Sequence, residues 1–448
     1  MNKVITEGDI SNGSFQPKII TRSDHNISRA NISPNALRVL YRLNEAGYQA
    51  HLVGGSVRDL LLGREPKDFD IGTDAHPEDV RRLFRNCRLI GRRFRLAHIL
   101  FGREVIEVAT FRALSNQCPD AEGHDRHVEE DGSIVRDNVY GSIGEDAWRR
   151  DFTVNALFYN IRDFSVIDFV DGMSDLEAGV LRLIGEPEQR YREDPVRMLR
   201  AIRFAAKLGF RIHGDTESSI PDLAHLLQDI PAARLYDEVL KLFQGGYALS
   251  TFELLRHYNL FEHLFPLTEQ ALAHEEQGFP LTLVSRAMDN TDLRLSQGKP
   301  VTPAFLLAVL LWEPMRLIAD RLRKEGMSAV QSIQVAGGRV LSEQAGYTSI
   351  PRRFSLPMRE IWQLQPRLEK GAGRGSLKVL AHPRFRAAYD FLLLRCESGE
   401  APEELGKWWT DFQEKSPDAK QQEIQERRPR HRRGRGRRPS ARKRGDGN

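Results

Sequence analysis

The spacing of apolar residues changes character once along this chain, near Pro187, and that change constrains the architecture more than any other feature. Before it, short apolar runs alternate with short helical stretches. After it, the pattern is helical to about residue 410. Asn35–Ala46 has helical period, with Gly47 placed to stop it. An apolar run at His51–Val53 leads into Gly54-Gly55. Ser56 then opens a helix that Gly63 ends. Lys67–Thr73 alternates as a strand, and Pro77 sits in the first turn of another helix. Arg95–Phe101 and Val105–Thr110 read as a hairpin turned at Gly102-Arg103. Residues 113–138 are polar and turn-rich, and a mobile loop is expected there. Glu145–Tyr159 is expected as one helix, and Ser165–Phe169 and Val180–Ile184 as strands. Beyond Pro187, the stretch from Glu193 forms an amphipathic helix ended by Gly209. The pattern predicts a mixed α/β unit to about residue 185, then an all-α region.

Charge is distributed unevenly. The 448 residues include 66 Lys+Arg and 62 Asp+Glu. From Arg427 onward there are eleven Lys or Arg and one acid, which leaves 55 basic and 61 acidic residues for the rest. A mildly acidic body with a strongly basic appendage is not a uniformly basic packaging protein. A block of like charge repels itself, stays extended and binds polyanions. Three scattered cysteines, Cys87, Cys118 and Cys396, do not make a disulfide framework or a cysteine-based zinc site. They fit a reducing compartment, and a cytoplasmic location is expected. No apolar run approaches the roughly 20 residues a membrane-spanning helix needs. Met1–Asn35 lacks the apolar core of a secretory signal.

The chemistry is concentrated in a few clusters. On a strand, residues i and i+2 share a face, so Asp68 and Asp70 would present two carboxylates together while Phe69 and Ile71 face the core. Their mutual repulsion is relieved by a divalent cation, and Mg²⁺ takes one or two carboxylates plus phosphate oxygens and water. Taken alone, Asp-x-Asp also describes a solvated strand end. Gly54 and Gly55, between a strand and a helix, allow close backbone approach to a phosphate, though a plain turn has the same sequence. Glu107 stands among apolar neighbours, where a carboxylate is costly unless it binds metal or serves as a base. An edge strand with Glu107 in water is the alternative. Asp151 and Asn155, four apart on the expected helix, could hold ribose hydroxyls while Arg150 reaches phosphates; a charged helix start reads the same way. Asp194 and Arg197 have i,i+3 spacing and could meet a base edge, or simply mark a helix N-terminus with Pro195 inside it. No G-x-x-x-x-G-K-[ST] motif occurs, which disfavours a P-loop NTPase.

In order along the chain, Leu52–Asp59, Asp68-Phe69-Asp70, Arg149–Asn155 and Glu193-Asp194-Pro195-x-Arg197 resemble the class II nucleotidyltransferases of the polymerase-β superfamily. That class contains tRNA CCA-adding enzymes and bacterial poly(A) polymerases. The segment Gly91-Arg92-Arg93-Phe94-x-Leu96-x-His98 resembles the poly(A) polymerase branch, as does the Arg-rich C-terminus. Ser56 departs from the pattern, because a third glycine is common there. The resemblance implies a small mixed-sheet nucleotidyltransferase head over 31–185 after a flexible segment 1–30. A helical neck over 186–250, a helical body over 251–412 and a disordered Arg-rich tail over 413–448 would follow. It implies that Asp68 and Asp70 bind two Mg²⁺ ions, with Glu107 the third carboxylate and Asp151 part of the catalytic site. Gly54, Gly55, Arg58, Arg150, Asn155, Glu193, Asp194 and Arg197 would bind the nucleotide. The implied reaction is template-independent transfer of AMP from ATP to RNA 3′ ends, with CCA addition to tRNA the alternative. In the tail, Arg428, Arg430, Arg432, Arg433, Arg435, Arg437 and Arg438 would bind RNA, and the tail could also dock RNA-decay proteins.

Overall fold

The computed structural model describes residues 16–426 apart from 92–94, 115–125, 129–133, 138, 276–281, 372 and 374. It divides into two compact units, one ending at Leu264 and the other beginning at Phe265.

The first unit is built on an eight-stranded sheet. Its strands are β1 (Lys18–Ile20), β2 (Ala50–Val53), β3 (Asp70–Thr73), β4 (Cys87–Ile90), β5 (Leu96–Phe101), β6 (Glu104–Thr110), β9 (Leu157–Asn160) and β10 (Val166–Asp168). The spatial order is β1-β10-β9-β2-β3-β6-β5-β4. All neighbours are antiparallel except β3 and β6, which run parallel with Asp70 opposite Glu107. The helix Pro34–Glu45 lies as the sequence predicts. Ser33 Oγ accepts from the N–H groups of Asn35 and Ala36, Pro34 occupies the first turn, and Ala36, Val39, Leu40 and Leu43 form the buried face. Gly72 is required by packing, since a Cβ there would lie 2.7 Å from the Phe111 ring and 3.0 Å from Val53. The expected hairpin is present, with Phe101 opposite Glu104 and Gly102 at φ +65°.

Four local expectations differ from the structure. First, the strand expected over Lys67–Thr73 begins only at Asp70, so Asp68 lies on the lead-in. Second, β4 is an added edge strand; its residues are alternately half-buried and exposed, a weak signal in four residues. Third, the polar stretch 113–138 contains two short antiparallel strands, β7 (Arg126–Val128) and β8 (Ile134–Asp137). Fourth, the helix expected over Glu145–Tyr159 stops at Arg149, followed by a single 3₁₀ turn Thr153–Asn155 and then β9. The cause is backbone pairing with a distant segment. Asp151 C=O accepts from Ile184 N–H at 2.9 Å, Thr153 N–H donates to Arg182 C=O at 3.0 Å, and Phe152 bridges Leu183. Phe152, Thr153, Val154 and Ala156 are buried there.

After Pro187 the chain is helical, as expected, apart from the two-residue β12 (Arg211–Ile212), which pairs in parallel with β11 (Val180–Leu181). The helix Pro187–Glu193 breaks at Asp194, and Val196–Leu208 continues to Gly209 in the left-handed conformation. Ala232–Phe243 and Ala248–His257 pack alongside.

In the second unit every described element is a helix, from Pro266 to Glu426. Its core is organised by buried tryptophans. Trp362 Nε1 donates to Ala308 C=O at 3.0 Å, and Trp409 Nε1 donates to Leu368 C=O at 2.9 Å, so each bulky side chain is buried with its polar atom satisfied. The helix Arg352–Leu368 contains Pro366, and the nearby buried Gln365 amide donates to the carbonyls of Ile361 and Ala388. Helical structure extends past residue 413. Pro417–Glu426 forms a last helix, where Glu423 accepts from Trp408 Nε1 at 2.9 Å and pairs with Lys415 at 2.9 Å.

Candidate active site

The turn after β2 sets one wall of the site. Gly54 has φ +70° and ψ −132°, a conformation a side chain resists, and a Cβ there would lie 3.1 Å from an Arg150 guanidinium nitrogen. The helix Gly55–Leu61 follows. Ser56 fits because its Oγ donates back to Val53 C=O at 3.0 Å. Arg58 points inward with its side chain 2% exposed. It donates to Asp59 at 2.6 and 2.8 Å and to the Asn155 side-chain oxygen, and it lies over the Phe204 ring at 5.4 Å.

The second wall is the parallel pair β3–β6. Phe69 and Ile71 enter the core, which turns Asp70 to the opposite face, and the register sets Asp70 beside Glu107. Glu107 Oε2 meets His98 Nε2 at 3.1 Å across the antiparallel β5–β6 pair. The Asp70 pKa is pushed up to about 6. The protein packed around its carboxylate is the largest cause, then Glu107, with Asp68 adding; Arg150 and His98 pull the other way. Asp70 retains a solvent-facing edge. Asp70 thus feels the charge of Glu107 and, more weakly, of Asp68.

Among the described residues, no group of three or more His, Cys, Asp or Glu side chains is placed to hold a metal ion by itself. An open set is nevertheless what Mg²⁺ uses when phosphate oxygens and water complete its octahedron. Asp68 and Asp70 suit it, because the repulsion that raises Asp70 is what a divalent cation removes.

Charged residues from the helical side complete the surroundings. Arg150 pairs with Asp146 at 2.9 Å and lies over Phe158 at 5.2 Å. Arg190 braces this segment by donating to the carbonyls of Arg149 and Arg150 at 2.9 and 2.8 Å. Asp151, 13% exposed, is held by Arg197 at 3.2 Å and Arg200 at 2.6 Å. Glu193 accepts from both Arg190 and Arg197 at 3.0 Å. Asp194 is gripped by Arg234 at 2.8 and 2.9 Å.

The structure thus brings Asp68, Asp70, Glu107 and Arg150 together and joins Asp151 to Arg197. Asp151 and Asn155 do not share a helical face, because the helix ends before them; Asn155 instead meets Arg58. Asp194 pairs with Arg234 rather than Arg197. The tail arginines from Arg428 to Arg438, and Arg92–Phe94, lie outside the described residues. The sequence reading named His98 only within the branch segment, with no role at the site, and did not single out Asp146, Arg190 or Arg234. His98 was accessible from the hairpin register and Asp146 from its i,i+4 spacing to Arg150, whereas Arg234 lies 40 residues from its partner and leaves no local signal.

Three family models match this chain. They are described as the poly A polymerase head domain over 50–182, a probable RNA- and SrmB-binding site of polymerase A over 209–272, and the polymerase A arginine-rich C-terminus over 325–444. The chain is 50% identical to poly(A) polymerase I of Escherichia coli O157:H7 over 410 residues, covering 90% of this chain and 87% of that one. A CCA-adding enzyme of Lactobacillus helveticus is 37% identical over 227 residues, 51% of this chain and 54% of its own. The crystal structure of the Bacillus stearothermophilus CCA-adding enzyme in complex with CTP superimposes with a TM-score of 0.57 at 26% identity, covering 85% of this chain and 84% of that one. Likeness to the poly(A) polymerase runs nearly end to end, while likeness to the CCA-adding relative covers about half: the chain belongs to the bacterial poly(A) polymerase I family of nucleotidyltransferases.

Proposed function

We propose that this chain is a poly(A) polymerase that adds AMP from ATP to RNA 3′ ends without a template and releases pyrophosphate. The observation that carries the reading is Asp70 set opposite Glu107 beside the Gly54 turn, its pKa raised first by the protein packed around it and then by Glu107 and Asp68. Two Mg²⁺ ions held by Asp68 and Asp70 would supply activation of the attacking 3′-hydroxyl and charge neutralisation at the phosphates. Glu107, oriented by His98, accepts the hydroxyl proton. The glycine turn admits the triphosphate close to the backbone, and Arg150 faces its charge. Glu193, Asp194 and Arg197 select the base. Arg58 and Asn155 act as positioning residues, because the arginine is buried against Asp59. Asp151 orients Arg197 for the nucleotide.

We assign the catalytic head to 31–185, base selection and RNA contact to the helical neck 186–250, and structural support to the body 251–412. The basic tail holds RNA through Arg428, Arg430, Arg432, Arg433, Arg435, Arg437 and Arg438, or docks RNA-decay proteins. Among the described residues no helix is long and apolar enough to cross a membrane. We place the protein in the cytoplasm, where its RNA substrates are. The test is incubation of the purified chain with an unstructured RNA, Mg²⁺ and each nucleoside triphosphate separately. A long homopolymer from ATP alone is expected. Addition limited to a few residues, with CTP required, would assign the chain to CCA addition instead.

A further inference from the structure

The eight-stranded sheet ends at β4, which pairs with β5 and, among the described residues, has no strand on its other side. Such an edge keeps a row of backbone N–H and C=O groups that another extended chain can match in register. The strand is held firmly on its inner side. Just before it begins, Asn86 Nδ2 donates to Leu100 C=O at 2.7 Å and Leu100 N–H donates to Asn86 C=O at 3.1 Å. Its side chains divide between two faces. Arg88 stands opposite His98, and His98 opposite Glu107, so Arg88 and Ile90 lie on the face that carries Asp70. Both are exposed, Ile90 by 39%. Cys87 and Leu89, half-buried, lie on the other face.

The unpaired charge around this edge is basic. Arg81 and Arg82 on the helix Pro77–Leu83, Arg85 after it and Arg88 on the strand are all exposed. The acids of that helix are taken, Asp79 by Arg82 and Glu78 by Arg95. Arg81, Arg85 and Arg88 form no ion pair among the described residues. Burial raises the Cys87 pKa and the charge of Arg81 opposes it, so that cation acts on the strand itself. Charged side chains on an edge also serve simply to keep wrong strands away, but an exposed aliphatic residue two positions from Arg88 works against that role. A second copy of this chain is a poor occupant, because two antiparallel β4 edges would bring both sets of arginines together. RNA would use the arginines and leave the row of amides and Ile90 idle.

We infer that β4 is a docking edge for an acidic protein segment, which adds to the sheet as a further strand. The residue opposite Arg88 would be Glu or Asp. The one opposite Ile90, two positions away on the same face, would be β-branched and apolar. Residues opposite Cys87 and Leu89 would be apolar, and flanking acids would meet Arg81 and Arg85. The docked strand would lie three strand spacings from β6, about 14 Å, so it would border the face that carries Glu107 without covering it. The edge is separate from the 209–272 segment matched by the RNA- and SrmB-binding model and from the basic tail. It does not depend on reading the chain as a polymerase.

The test is the affinity of a labelled peptide, Glu-Glu-Val-Val-Glu-Val-Glu with both ends capped, for the full chain, measured by fluorescence anisotropy. Saturable binding is expected. An analogue N-methylated at every residue keeps the side chains but has no backbone N–H, and should bind about tenfold more weakly or worse. Arg88→Glu should weaken binding of the original peptide by about tenfold or more. A peptide with Lys in place of the Glu between valines should recover most of that loss on the variant. The N-methylated analogue is measured on the parent chain, so that arm decides whatever Arg88→Glu does to the fold. Absence of peptide binding, equal affinity of the N-methylated analogue, or unchanged affinity in a folded Arg88→Glu variant overturns the proposal. So does a parent dimer in sedimentation that excess peptide dissociates, which would assign the edge to a second copy. Oligouridylate binding that Arg88→Glu weakens while peptide binding stays intact would assign it to RNA, and equally overturns the proposal.

Discussion

Replacing Asp70 with Asn should inactivate the enzyme and, without metal, make it more stable. Adjacent strands lie about 4.8 Å apart, so the Asp70 and Glu107 carboxylates interact over about 5 Å. At that distance two like charges repel by about 3 kcal/mol at an effective dielectric of 20, and by about 1 kcal/mol in water. Asp70's solvent-facing edge places the true figure between these limits. For a unit of this size each kcal/mol moves the melting temperature by about 2–4 °C, so Asp70→Asn should melt about 2–12 °C above the parent in EDTA. The effect depends on pH. Asp70's pKa is raised in the folded state from 3.8 to about 6, so the parent's penalty is absent below pH 4, builds as pH rises toward 6, and is constant above it. The gap between the two proteins should follow the same course. Added Mg²⁺ should raise the parent's melting temperature and leave the variant nearly unmoved. Differential scanning calorimetry in EDTA and in Mg²⁺, at pH 4.5 and 7.5, reads all of this. A variant no more stable than the parent at pH 7.5 in EDTA, or stabilised equally by Mg²⁺, would refute the assignment of a repelling, metal-binding carboxylate cluster.

Arg197→Ala removes one of the two arginines on each of Asp151 and Glu193; the KM for ATP should rise about tenfold or more, with a lower ratio of ATP to CTP incorporation and nearly constant RNA affinity. An unchanged ratio together with an unchanged KM for ATP counts against its role in base choice. Arg58→Ala leaves Asp59 and Asn155 without their buried donor and should destabilise the first unit by about 3–5 kcal/mol, read as a shift in the urea midpoint. Truncation before Arg427 should flatten the salt dependence of RNA binding by about 3–4 slope units, if four to six of the eleven cations engage phosphates at once, each worth about 0.7. Identical slopes for full-length and truncated protein would instead leave protein docking as the tail's role.

The sequence alone determined the features that depend on neighbours a few residues apart. The helix Pro34–Glu45 was marked by its period and the Gly47 stop, the β5–β6 hairpin by Gly102-Arg103, and the end of the later helix by Gly209. The glycine turn was readable for the same reason, since glycine's freedom at positive φ is a local property, whereas the two-residue strand period did not hold for Asp68, which lies ahead of the strand that begins at Asp70. The order of motifs then identified the family. Tertiary structure decided what a local pattern cannot encode. The stretch after Arg149 has good helical spacing, yet backbone pairing with Arg182–Ile184 draws it out of the helix and reassigns Asp151 to Arg197 and Asn155 to Arg58. Glu107 reaches Asp70 only because β3 and β6, 37 residues apart in register, run parallel. Arg58 carries the charge of a phosphate ligand, but burial against Asp59 and Phe204 makes it a brace. In each case a long-range contact, formed as core side chains were buried, outweighed a preference of less than about 1 kcal/mol per residue for the local alternative.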